Sequence, residues 1–134
     1  MKVGIVGAEE SKWTKEQKKI AKEKILDIIR WHQAHIVDDE IIVDNDFALV
    51  SGHSPKGGVD IWVEEIAREM KVRMIIYPPK KFQWEPDGYK QRNILIAENS
   101  DTLYVFSPKG VWNGGLWTAN YAESLGKPVN RIEI

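Results

Sequence analysis

Cysteine is absent from the 134-residue chain. That excludes disulfide scaffolds, thiol catalysis and Cys-ligated zinc, and it fits a reducing, cytoplasmic setting. Long apolar runs are missing as well. None approaches the ~20 residues that span a bilayer, and the stretch Met1-Lys2-Val3-Gly4-Ile5-Val6-Gly7 is too short for a signal peptide and reads as a first strand. No membrane partner is expected. Nor does one charge prevail: 19 basic against 20 acidic residues leave a formal charge of −1. Proteins that coat duplex nucleic acid carry a large positive excess, so duplex nucleic acid is not an expected partner either. What is present is the balance of a globular protein, 43% hydrophobic and 29% charged. With no internal repeat, low-complexity stretch or linker, residues 1–134 read as a single domain.

Apolar runs and helical stripes alternate along the chain. Val3–Val6 is a β-branched run ended by Gly7. Thr14 opens a helix that runs to Ala34: Thr14 and Gln17 form a capping box, and Ile20, Ala21, Ile25, Ile28 and Ile29 recur at helical spacing. Residues 36–47 read as a connection with at most a short extra strand, because Asp38, Asp39, Glu40, Asp44 and Asp46 surround its apolar centre. Ala48–Ser51 is a second core strand, followed by a helix at Val59–Met70. A third strand at Val72–Tyr77 stops at Pro78-Pro79. After an irregular stretch, a helix at Tyr89–Ala97, a strand at Thr102–Phe106 and a helix at Leu116–Leu125 follow, the last ended by Gly126 and Pro128. Val129–Ile134 alternates apolar and polar residues and reads as an edge strand. Five strands alternating with four helices predict a Rossmann-like three-layer α/β sandwich, with a mostly parallel sheet and helices on both faces.

In such a sheet ligands bind beyond the carboxyl ends of the strands. Gly7 ends the first strand there. The loop Ser51-Gly52-His53-Ser54-Pro55-Lys56-Gly57-Gly58-Val59-Asp60 is the strongest feature. Gly57 and Gly58 sit at a helix start, where bare amides and the helix dipole favour an anion. Lys56 adds a charge and Asp60 suits a ribose hydroxyl. It is not a Walker A loop, since Gly58 occupies the place of the lysine, and turn glycines alone would explain the pair. Gly114 and Gly115, with Thr118, repeat the device at a second helix start that Asn113 would cap. Arg92 and Asn93 precede the fourth strand, and arginine suits bidentate anion recognition. His32, His35 and His53 have no metal spacing, the acidic group lacks the pattern of a calcium loop, and no metal or cofactor is expected. Of six tryptophans, Trp13, Trp84, Trp112 and Trp117 fall in or beside these loops, where an indole can stack on a base or simply pack the loop.

Read in order, Gly4-Ile5-Val6-Gly7, Val50-Ser51-Gly52 through Gly57-Gly58-Val59-Asp60, Arg92-Asn93, Ser100 to Phe106, Gly114-Gly115 with Thr118, and Ala122 to Val129 resemble the SLOG superfamily of Rossmann-like nucleotide-binding proteins. Within it the sequence is most similar to the group related to YspA and YpsA. The resemblance covers nearly the whole chain and implies a nucleotide or nucleotide-derived ligand between the glycine loops, and a homodimer. Arg92 matches the family's arginine, Gly57, Gly58 and Asp60 its first glycine loop, and Gly114, Gly115 and Thr118 part of the second.

The superfamily also holds the LOG phosphoribohydrolases, which cleave base from ribose 5′-phosphate, and DprA, which binds single-stranded DNA. The hydrolases carry P-G-G-x-G-T-x-x-E in the second loop. Here Asn113 replaces the proline, Trp117 the third glycine, and Tyr121 the glutamate that would stabilise an oxocarbenium-like transition state. A binding or sensing role is the leading expectation. A hydrolase of nucleoside 5′-monophosphates, with Arg92 and with Asp60 or Glu123 as its carboxylate, is the alternative, and a single-strand nucleic-acid module is the third.

Overall fold

The computed structural model describes residues 1–134. Strand β1 (Lys2–Gly7) leads through one 3-10 turn (Glu10–Lys12) into α1 (Lys15–Gln33), then β2 (Ala34–Val37), β3 (Glu40–Val43), β4 (Ala48–Ser51) and α2 (Val59–Met70). Strand β5 (Met74–Ile76), α3 (Tyr89–Asn99), β6 (Thr102–Ser107), α4 (Gly114–Ser124) and β7 (Val129–Glu133) complete the chain. The main sheet has the order β5-β4-β1-β6-β7, and every pairing within it is parallel. This is a Rossmann-like α/β fold.

Alternation along the central strands divides the interior in two. Val3, Ile5, Leu49 and Phe106 face one side, where they meet Ala21, Ile25 and Ile29 of α1 and Val59, Trp62 and Val63 of α2. Val6, Val50, Leu103 and Val105 face the other, against Ile96 and Ala97 of α3 and Ala119 and Ala122 of α4. Burial on both faces explains why β1 and β4 read as continuous apolar runs. The predicted capping box is present: the Gln17 amide donates to Thr14 Oγ1 at 3.1 Å, and the Thr14 amide to Gln17 Oε1 at 3.0 Å.

One element differs from the sequence reading. Residues 36–47 are not a mere connection: β2 and β3 form an antiparallel hairpin separate from the main sheet, with Ile36 opposite Ile41 and His35 opposite Ile42. Asp38 and Asp39 take φ of 50° and 66°, the left-handed pair that a tight hairpin turn requires and that aspartate tolerates.

The strand order sets the place of the site. From β1 the chain moves outward to β4 and β5, then returns to lay β6 on the opposite flank of β1. The loops after β1 and β6 therefore part company, and a crevice opens between them at the carboxyl ends of the strands.

Candidate functional site

A cleft of about 290 Å³ occupies that crevice. Gly7, Glu9 and Lys12 enter from the end of β1 and its following loop, and Ser54 and Lys56 from the β4–α2 loop. Asp60, Arg92 and Asn93 lie deeper, on α2 and α3, while Asn113, Gly114, Gly115 and Thr118 form the wall at the start of α4. The aromatic rings of Trp84, Tyr89 and Trp112 also line it.

Arg92 is the central cation. It is only 9% exposed, its Nη1 donates to the Gly52 carbonyl at 2.5 Å, and its Nε donates to Asn93 Oδ1 at 2.7 Å. Tyr89 lies beneath the guanidinium, 5.4 Å from ring centroid to Cζ. Burial draws the Arg92 pKa down, while Asp60 and then Tyr89 oppose the shift; a guanidinium nonetheless stays charged at neutral pH. Two of its groups are committed to protein acceptors, and the planar fork has donors to spare.

Asp60 stands beside it, Oδ2 3.8 Å from Arg92 Nη1. It is 5% exposed, and its Oδ1 is buried with no hydrogen-bond partner. Desolvation raises the Asp60 pKa, against the opposing pull of the Arg92 guanidinium beside it. An orphaned buried oxygen is uncommon in folded proteins, because each one forfeits the energy of its lost hydration.

Opposite, Asn113 caps α4 by accepting the Gly115 amide at 2.8 Å. Gly115 is held glycine by crowding: a Cβ there would press on Asn113 Oδ1 and Val105. A Cβ on Gly114 would meet only Asn93 Nδ2, at 4.0 Å, so a side-chain amide donor stands next to the positive end of an 11-residue helix. Thr118 is buried and its hydroxyl donates to the Gly114 carbonyl at 3.2 Å, which leaves its oxygen free to accept.

Of the residues singled out in the sequence, Gly7, Lys56, Asp60, Arg92, Asn93, Gly114, Gly115 and Thr118 share this cleft. Gly52, His53, Gly57 and Gly58 do not line it. Gly52 lies under Arg92, where a Cβ would overlap the guanidinium. His53 turns outward, 2.6 Å from Glu64. Gly58, with φ of 87°, packs its backbone against Ala8, Glu9 and Glu10, and the Val59 amide donates to the Ala8 carbonyl at 3.2 Å. The Gly57 amide donates to Ser54 at 3.1 Å. The Val59 amide at this first junction thus ties the two loops together, and Lys56 reaches Glu9 across the same seam at 3.8 Å.

The tryptophans divide likewise. Trp13 donates its indole N–H to Ala8 at 3.1 Å and packs on Trp62. Trp117 stacks on Tyr121 and braces Trp84 edge-on at 5.1 Å. Trp84 and Trp112 keep rings open to the cleft, being 41% and 64% exposed. Glu123 is exposed and paired with Arg131 away from the cleft, with its pKa lowered by that hydrogen bond; it cannot supply the carboxylate of the hydrolase alternative. Glu9, Lys12, Ser54 and Tyr89 were not singled out in the sequence. No glycine or motif marks Lys12, which the 3-10 turn alone brings round to the cleft.

No group of three or more His, Cys, Asp or Glu side chains is arranged to hold a metal ion, and no helix is long and apolar enough to cross a membrane. No family model and no curated protein matches the sequence. Among solved structures, the molybdenum cofactor carrier protein MCP from Chlamydomonas reinhardtii superposes with a TM-score of 0.66 at 16% identity, covering 97% of this chain and 74% of that one. DNA processing protein A (DprA) from Streptococcus pneumoniae gives 0.64 at 14% identity over 96% of this chain. This chain spans 49% of that DprA chain. At these identities the likeness establishes the fold.

Proposed function

We propose that the cleft binds a nucleotide or nucleotide-derived molecule, as a binding or sensing protein of the SLOG superfamily close to the YspA and YpsA group. The observation that carries this reading is the pair of buried groups on its floor: Arg92 with donors to spare, and Asp60 with an unpartnered oxygen. A cation and an orphaned acceptor buried side by side in an open cleft suit a ligand with both an anionic group and hydroxyls.

In this reading the phosphate lies between Arg92, Asn93 Nδ2 and the start of α4 at Gly114 and Gly115. Lys12 and Lys56 add charge at the mouth. Asp60 Oδ1 accepts from a ribose hydroxyl. The heterocycle rests against Trp84, which Trp117 holds in place, with Trp112 on the rim. The neighbours lend general support, since one carries a molybdenum cofactor and the other processes DNA.

The test is quenching of tryptophan fluorescence by a panel of nucleoside monophosphates. Arg92→Ala should weaken binding about 10- to 100-fold, the range of a lost hydrogen bond to a charged group. Equal affinity in wild type and variant would remove Arg92 from the site. The Asp60 carboxyl, which lines the cleft beside Arg92, keeps the hydrolase alternative in view. Chromatography of the same mixtures distinguishes it, because free base, lost in Asp60→Asn, would signal N-glycosidic cleavage.

A further inference from the structure

A row of aromatic rings leads from α4 to the cleft. Trp117 and Tyr121 stand four residues apart on the helix and so share one of its faces. Their rings stack with centroids 5.5 Å apart and planes 5° from parallel. Trp84 meets Trp117 edge-on, at 5.1 Å and 85°. Both geometries lie where aromatic pairs attract. Of these rings, Trp84 alone lines the cleft.

The backbone of Trp84 is anchored too. It lies in the irregular stretch before α3, and carbonyls of that stretch take up the first amides of the helix. Gln83 accepts the Tyr89 amide at 2.8 Å, and Trp84 accepts the Lys90 amide at 3.0 Å. Gln83 Nε2 donates to the Pro86 carbonyl at 2.8 Å, and Lys90 pairs with Glu85 at 3.1 Å. Gly88 packs so closely on Gln83 that a Cβ would overlap its carbonyl. Arg92 projects from the same helix, three residues after Tyr89. The indole and the buried cation are thereby tied to one rigid element. Trp112, by contrast, joins none of the ring pairs.

We propose that Trp84 is the platform that reads the ring system of the ligand, with Trp117, stacked on Tyr121, as its positioning residue, and that the cleft selects nucleotides with a bicyclic purine base over those with a pyrimidine. This rests on the nucleotide reading above and adds ring size to it. Stacking strengthens with the area of overlap. Two fused rings cover an indole face that a single ring covers only in part. An indole free to rotate must also be ordered when ligand binds, at a cost in affinity. The edge-on contact with Trp117 removes that cost before the ligand arrives.

Isothermal titration calorimetry with AMP, UMP and ribose 5-phosphate tests this. Wild type should bind AMP about 5- to 20-fold more tightly than UMP, and Trp84→Ala should weaken AMP about 5- to 100-fold, the range of one lost base stack. Trp117→Leu removes the brace and leaves the platform. It should weaken AMP about 3- to 10-fold, as expected for ordering one large side chain, and Trp117→Phe, which keeps a ring against Trp84, should recover most of the loss. Ribose 5-phosphate should bind equally to wild type and to every variant, since Arg92, Asp60 and the start of α4 are untouched. A merely structural fault would weaken all three ligands together. An AMP-to-UMP ratio near one in wild type, or a ratio unmoved by Trp117→Leu, overturns the inference and leaves the nucleotide reading standing. So does a ratio that survives Trp84→Ala and is lost in Trp112→Ala. Absence of binding by both nucleotides overturns the two together.

Discussion

Gly58 shows how a residue without a side chain holds the site together from outside it. Its φ of 87° disfavours any Cβ, and a Cβ would collide with the Ala8 carbonyl and the backbone of Glu9 and Glu10. Backbone cannot swing aside as a side chain can. Gly58→Ala should therefore lower stability by about 2–4 kcal/mol in chemical denaturation, and it should loosen the Glu9–Lys56 bridge at the cleft mouth. Gly52→Ala should act differently. The collision there is with the guanidinium of Arg92, which can move, so ligand affinity should fall further than stability does.

Asp60 makes the second prediction at this scale. Burial raises its pKa above the ordinary value of 3.8, so the folded protein holds that proton more tightly than the unfolded chain does. Stability from this group is fully present below the unfolded pKa and is lost as pH rises through the raised folded value. Asp60→Asn removes the titration and leaves Arg92 without its counter-charge, an offset that does not vary with pH. Urea denaturation between about pH 4 and pH 7 should show wild type losing stability relative to Asp60→Asn as pH rises. A constant difference would mean that Arg92 outweighs burial.

At the scale of the element, α1 rests on its capping box and its apolar stripe. Thr14→Ala frees the Gln17 amide and should lower stability by about 1 kcal/mol, or roughly 3–5 °C in a thermal melt of a domain this size. Ligand affinity should not change, since neither residue lines the cleft. The same helix shows what was legible in the sequence. Its cap, its stripe and the strand–helix alternation are local patterns, so the four helices and five sheet strands could be read directly. The hairpin was hidden because its branched residues are interrupted by acids, and Asp38-Asp39 gives a weaker turn signal than a glycine would. In the cleft, helix starts and glycine pairs located Arg92, Asp60 and the α4 wall. That Gly57 and Gly58 pack against a loop instead of facing the cleft depends on residues 8–10, remote in sequence and without a pattern of their own.

Over the whole molecule, the strand order turns these elements into a site. Reversal between β1 and β6 opens the crevice, and α2, α3 and α4 each direct an end or a flank towards it. The near-zero net charge leaves no long-range field to gather polyanions. Recognition must then come from the few charges inside the cleft, which favours a small ligand over a nucleic-acid strand. The most direct test is a crystal structure of the protein with a saturating nucleoside monophosphate. The account requires the phosphate beside Asn93 Nδ2 and the first turn of α4, a ribose hydroxyl on Asp60 Oδ1, and the base against Trp84. A well-ordered cleft left empty at saturating nucleotide, or a nucleotide bound elsewhere on the surface, would contradict it.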